Sequence, residues 1–246
     1  MGQMGMLKFG WQVKALRERF YTPEFLGMYD RLLATIIECA KPADIVLDAG
    51  CGSGRVFQHR QAGRVRRIVG IDVTNEPADN LNIDDAAKGD LRSLPLRDDT
   101  FDLVILSHVA EHLSHPEAVF AELARVLRPG GRLLLLTPNR WHYVTLGARL
   151  LPHRLHILFN NWRGVDTHDI FPTTYRANTA DRLRELSEGA GLEVERLERF
   201  GTEPEYLAFH LLPYALGVAY ERLVNRFGWL SRLRVNLLLV GRKQPT

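Results

Sequence analysis

The chain has 246 residues, 46% hydrophobic and 25% charged, which is enough apolar material for one large α/β domain with its own core and too much for a disordered chain. Thirty-two basic and 29 acidic residues leave a net charge of only +3, far below the basic excess of a dedicated nucleic-acid binder. Two cysteines, Cys39 and Cys51, offer neither a disulfide framework nor a paired-cysteine metal motif, so a reducing, cytoplasmic setting is expected.

Met1 to Lys14 lacks the apolar core and small-residue cleavage site of a secretory signal. Helical spacing runs through Val13, Leu16 and Phe20 and again through Leu32, Leu33, Ile36 and Ile37. Pro23 interrupts it and Pro42 closes it, which predicts one or two lead-in helices within residues 1–42. Ile45-Val46-Leu47 reads as a short strand buried on both faces, and Arg67 to Ile71 as a second that ends in Asp72. Thr74 to Ala87 is polar and irregular, with room for little more than a turn of helix. Phe101 to Leu106 is a strong strand. Pro116 to Leu127 is helical, with proline early in the helix, and "RPGG" is expected to end it before a strand from Arg132 to Thr137. The rhythm then fails for residues 140–178. It resumes with Thr179 as the N-cap of a helix through Ala190 and a strand from Leu192 to Arg199. A second interruption, 201–234, precedes a last strand at Asn236 to Val240. Strand and helix alternate, so a doubly wound, mostly parallel sheet is expected, all within one domain spanning 1–246.

The chemistry starts at "VLDAGCGSGR", Val46 to Arg55, where an apolar strand ends in an acid and three glycines follow at alternate positions. A glycine turn between a strand and a helix lets a ligand approach the backbone. The spacing D-x-G-x-G-x-G differs from the G-x-G-x-x-G that holds a dinucleotide pyrophosphate. Asp72, at the end of the next strand, stands where one carboxylate can hold a ribose diol.

Together with "VGIDVT", "GDLRSLPLRDDTFDLVILSHVAEHL" and "ELARVLRPGGRLLLLTPN", this turn makes the chain resemble the class I S-adenosylmethionine-dependent methyltransferases. Within them it is similar to the methyltransferase type 11 group and the quinone-biosynthesis methyltransferases, across about residues 45–139. The resemblance implies a Rossmann-like, seven-stranded sheet with helical insertions after strand 5 and between strands 6 and 7. It implies a cofactor-binding core at 43–139 and an acceptor-side insertion at 140–178. It also implies S-adenosylmethionine as cofactor, with Gly50 and Gly52 against its methionine part and Asp48 orienting its amino group. Asp72 takes the ribose hydroxyls, and Asp90 accepts from the adenine amino group with Leu91 beside it and Val73 against the ring. Ser107 and His108 face the methionine end. Nine acids against three bases between Asp72 and Asp102 suit a sulfonium cation better than a phosphate.

An oxygen or nitrogen acceptor must lose a proton, so a base is sought among His108, His112, His142 and His168, with Tyr175 as an orienting group. The catalytic set is written as His168, His108 and His112, with His168 preferred because it lies in the insertion. Arg140 and Arg176 are candidates for an anionic acceptor. "HVAEH" formally matches a zinc-peptidase pattern. It leaves a buried strand inside the methyltransferase block, so no metal site is assigned.

The segment 205–234 joins the apolar stretch Tyr206 to Tyr220 to a run of arginines. It suits a membrane-surface helix, a core or lid helix, or half of a homodimer interface, and the sequence leaves the three open. The expected function is methyl transfer to a small or lipid-like acceptor at oxygen. Carbon methylation of a quinone-like precursor and a cofactor-binding partner protein without turnover are the alternatives. No amide-aromatic motif follows the fourth strand, so nucleic acid is not an expected partner.

Overall fold

The computed structural model describes residues 10–22, 25, 27–54, 65–74, 80–150 and 172–245. His168, the preferred base, lies outside them. The helices are α1 (Trp11–Phe20), α2 (Met28–Cys39), α3 (Pro116–Val126), α4 (Tyr143–Leu150), α5 (Ala180–Gly189) and α6 (Leu211–Arg226). The strands are β1 (Ile45–Ala49), β2 (Arg67–Asp72), β3 (Asp85–Lys88), β4 (Phe101–Ser107), β5 (Leu127–Pro138), β6 (Leu192–Phe200) and β7 (Asn236–Lys243). They form one seven-stranded sheet in the order β3-β2-β1-β4-β5-β7-β6. The pairs β3–β2, β2–β1, β1–β4 and β4–β5 are parallel.

Two compact units are present, one made of 29–138, 172–198 and 237–246, the other of 1–28, 139–171 and 199–236. The second unit gathers the segments in which the α/β rhythm of the sequence fails. In the first, the central strands are apolar on both faces: Leu47, Leu103, Leu106, Leu133 and Leu135 are fully buried. Each such side chain contributes about 1.5–3 kcal/mol relative to exposure. Pro116 opens α3 at a position where its missing N–H costs nothing, and Thr179 caps α5 by accepting from the Arg182 N–H at 3.2 Å.

Two expectations need correction. Residues 85–88 form an edge strand, where an irregular stretch was expected. Asp, Ala and Lys are poor strand formers, so β3 is held by its ladder to β2 and by the Asp84 carboxylate, which accepts from the Ile68 N–H at 2.7 Å. "RPGG" does not precede β5 but lies inside it. The register slips from Phe101↔Leu127 to Leu103↔Arg132, so the prolyl-glycyl segment is a bulge in the strand. A Cβ on Gly131 would lie 2.9 Å from the Arg128 carbonyl and 3.0 Å from that of Phe101, which is why glycine stands there.

In the second unit α1 packs against α6 through Val13, Tyr214 and Val218. Tyr214 donates its hydroxyl to Glu203 at 2.9 Å, and Arg17 pairs with the same carboxylate. His142 meets the buried carboxylate of Glu221 at 3.0 Å through Nε2, while its Nδ1 faces the Val144 N–H at 3.4 Å. A carboxylate accepts, so Nε2 carries the proton and Nδ1 accepts. Both nitrogens are engaged within the fold, which removes His142 from the candidate bases.

Candidate functional site

Chain order reverses between β1 and β4: β2 and β3 lie to one side of β1, β4 and β5 to the other. Such a switch point opens a crevice at the carboxyl ends of the strands. Asp48, Gly50, Gly52, Asp72, Val73, Asp90, Leu91, Ser107, His108 and His112 stand at the ends of β1 to β4 or in the turns that follow, whereas Arg140 and His142 follow β5 and Tyr175 and Arg176 precede α5. Asp48 is the penultimate residue of β1 and is 2% exposed.

Gly50, Gly52 and Gly54 adopt φ of 80°, 48° and 73°. This left-handed region costs an L side chain about 1–2 kcal/mol. The Gly50 and Cys51 N–H groups donate to the Ile71 carbonyl at 2.7 and 3.2 Å, and the Gly52 N–H donates to Asp72 Oδ2 at 3.0 Å. The carbonyls of the turn are held from another direction. Asn80 Nδ2 donates to those of Cys51 and Gly52 at 3.2 and 3.3 Å, and Asn82 Nδ2 to that of Gly54 at 2.8 Å. Both asparagines are buried. A Cβ on Gly50 would come within 2.3 Å of Val109 Cγ2, and one on Gly54 within 2.1 Å of Asn80 Oδ1. These two glycines are therefore required by protein neighbours as well as by backbone conformation.

Asp72 is fixed by three donors. Besides the Gly52 N–H, its Oδ1 accepts from the Thr74 N–H at 2.9 Å and from the Thr74 hydroxyl at 3.0 Å. Val73 between them leaves 60% of its surface exposed, an apolar side chain beside a carboxylate. Asp90 and Leu91 lie in the turn after β3, and both Asp90 oxygens accept from the Arg92 guanidinium at 2.6–3.1 Å. Those bonds hold the Asp90 carboxyl below its ordinary range.

Ser107 ends β4, and His108 follows with φ of 57°. The Ser107 hydroxyl lies 3.2 Å from His108 Nδ1, and the Tyr29 ring is 5.9 Å from the imidazole. Burial pushes the His108 pKa down. His112 sits in a short 3₁₀ turn, Ala110–His112, with Nδ1 3.0 Å from the Pro172 carbonyl. That turn is no α-helix, so the histidines of "HVAEH" do not share a helical face as the peptidase pattern needs. Tyr175 donates its N–H to the Glu111 carbonyl at 3.1 Å, and Arg176 donates to that of Ser114. Burial pushes the Cys51 thiol up to about 12, which makes it a packing group over Gly70 and not a nucleophile.

Sequence reasoning missed Asn80, Asn82 and Arg92. The two asparagines carry no local signal because their partners lie 28 or 29 residues away. Arg92 follows Asp90 by two positions, a spacing from which the pair was readable.

Residues 47–135 match the family model described as a methyltransferase domain. This segment is similar to methyltransferase domains. Its span runs from within β1 to within β5 and takes in the glycine turn, Asp72, Asp90, Ser107 and His108, so the resemblance seen in the four sequence stretches holds. One similar relative is a probable S-adenosylmethionine-dependent methyltransferase of Mycolicibacterium smegmatis, 34% identical over 154 residues that cover 61% of this chain and 52% of that protein. A malonyl-[acyl-carrier protein] O-methyltransferase of Hahella chejuensis is 32% identical over 178 residues, 69% of this chain and 56% of that one. The chain thus spans about half the length of these curated relatives. The crystal structure of an S-adenosylmethionine-dependent methyltransferase from Mesorhizobium loti superimposes with a TM-score of 0.57 at 16% identity, covering 88% of this chain and 98% of that one. Identity that low speaks for the fold alone, and that fold is the Rossmann-like one expected.

Proposed function

We propose that the chain transfers a methyl group from S-adenosylmethionine to an oxygen of a small or lipid-like acceptor. The observation that carries this reading is the glycine turn locked to Asp72: three left-handed glycines close β1, and the middle one donates its N–H to the carboxylate that ends β2. A backbone without side chains beside a fixed acid and an exposed valine fits a nucleoside joined to an amino acid. In this reading Gly50 and Gly52 line the methionine part, Asp48 orients its amino group and Asp72 holds the ribose hydroxyls. Val73 and Leu91 flank the adenine, Asp90 accepts from its amino group, and Ser107 faces the methionine end.

When bound, the cofactor supplies a methyl group on a sulfonium centre open to in-line displacement. The chain's own part is to align the acceptor, exclude water and take up the acceptor proton. His108 suits the last task, because burial keeps its ring neutral and proton-accepting at neutral pH. His112 is the second candidate: its Nδ1 faces a carbonyl and so carries hydrogen, which leaves Nε2 to accept. Acceptor choice is assigned to the 140–178 insertion, which includes His168. The relatives include O-methyltransferases of Hahella chejuensis and a sterol 24-C-methyltransferase of Schizosaccharomyces pombe, so oxygen is the atom proposed and carbon is the alternative that the product analysis below tests.

Calorimetric titration with S-adenosylmethionine and S-adenosylhomocysteine, with NAD as control, tests the cofactor half. Asp72→Ala should weaken binding by about 1.5–3 kcal/mol, the loss expected for hydrogen bonds to a charged acceptor. Unchanged affinity would remove Asp72 from the site. Label transfer into lipid extracts, followed by mass spectrometry of the product, tests the acceptor half. A methyl group found on carbon overturns the oxygen assignment, and cofactor binding without turnover favours the partner-protein alternative.

A further inference from the structure

The α6 helix has two apolar faces, and its fold uses only one. Tyr214, Gly217, Val218, Glu221 and Val224 are buried, which is the side that meets α1 and the chain around Pro204. The opposite side is apolar too. Leu212, Leu216 and Leu223 fall within about 40° of one another on the helical wheel and are 64%, 63% and 51% exposed. Just past the helix, Trp229 is 78% exposed and Phe227 40%.

The charges at the C-terminal end of this face have one sign. Glu221, the only acid of α6, is buried against His142, whereas Arg222 and Arg226 are exposed, the first at the border with α1, its guanidinium 4.9 Å from the centre of the Phe20 ring. From Arg222 to Asn236 the sequence contains four arginines and no aspartate or glutamate. A second copy docking here by a two-fold axis would present the same patch, which brings no acid from residues 222–236 to pair with these arginines. An anionic lipid surface takes both features at once: leucines and a tryptophan enter the headgroup boundary while the arginines meet phosphate. Among the described residues no helix is long and apolar enough to cross a membrane, so the contact lies along the surface.

We infer that the outward face of α6, continued through Phe227 and Trp229, binds the surface of anionic membranes. This assigns the outer face of the segment, while its inner face is an ordinary packing surface against α1. The inference rests on the exposed residues alone and stands whether or not methyl transfer is confirmed.

The test is flotation of the full chain with vesicles of phosphatidylcholine alone or mixed with phosphatidylglycerol. The mixed vesicles should carry the protein, and salt should release it. Leu216→Asn with Leu223→Asn, and separately Arg222→Gln with Arg226→Gln, should each lower vesicle partitioning by about tenfold or more, with circular dichroism unchanged. Equal recovery on neutral and anionic vesicles, or none on either, overturns the inference, as do variants that float like the parent. A concentration-dependent dimer that the leucine variant disperses would give this face to a second copy instead. S-adenosylmethionine affinity, measured in the same variants, keeps a membrane failure distinct from a cofactor failure.

Discussion

Thr137 donates its hydroxyl to the Glu111 carboxylate across 2.9 Å, and both side chains are buried. The same hydroxyl accepts from Asn178 Nδ2 at 2.6 Å, and the Glu111 carbonyl accepts from the Thr174 N–H at 2.7 Å. One polar knot thereby ties the end of β5, the turn after β4 and the approach to α5. Thr137→Val keeps the shape and removes the donor, and should cost about 1.5–3 kcal/mol in chemical denaturation. Thr137→Ser should restore most of it. A loss within about 0.5 kcal/mol, the scale of surface changes, would mean that the carboxylate finds another donor.

Gly50→Ala combines a left-handed backbone with an overlap on Val109. The backbone alone predicts about 1–2 kcal/mol of destabilisation. Gly50→Ala together with Val109→Ala should recover the overlap but not the conformational cost. Thermal unfolding of the two proteins separates these contributions, and full recovery in the double variant would show that φ at this position is tolerated.

Asn82→Ala removes the donor to the Gly54 carbonyl, and Asn80→Ala those to Cys51 and Gly52. Each should lower stability by about 0.5–1.5 kcal/mol and weaken S-adenosylmethionine binding, up to about tenfold, because the turn is no longer held in its bound form. Titration calorimetry beside a melting curve reads both. Stability lost with affinity intact would mean that the cofactor itself orders the turn.

Burial holds the His108 pKa below its ordinary value of 6.5. As the pH falls through that value, the unfolded chain takes up a proton that the folded one refuses, so stability declines toward acid. His108→Gln should flatten the stability curve below about pH 6.5. It should also cut turnover by about 10²–10⁴ while leaving cofactor affinity in place, as expected for a lost general base. A pH–stability curve identical to that of the parent would mean that His108 titrates as it does in the unfolded chain.

The first unit was legible in the sequence where hydrophobic pattern and structure coincide. Val46–Leu47, Leu103–Leu106 and Leu133–Thr137 are buried on both faces, and such strands are written in continuous apolar runs. β3 escaped because an edge strand of Asp, Ala, Ala and Lys draws its stability from its neighbour's ladder, not from its own side chains. The acid at the end of β2 was found, but the asparagines behind the glycine turn were not, since their role exists only once residues far apart in sequence meet. In 205–234 the apolar stretch was evident, whereas its division into an inner and an outer face needed the position of α1.

The asparagine clamp also sets an order of events during folding. A chain that has made only β1 and its glycines lacks the side-chain donors to the Cys51, Gly52 and Gly54 carbonyls, since these arrive with residues 80 and 82. Closing a loop of that length costs entropy that isolated turn contacts do not return. The turn therefore has its full set of donors only where residues 80 and 82 have docked on it. On the reading proposed above, fragments that stop short of residue 82 should fail to hold a nucleoside even where β1 and β2 are already paired.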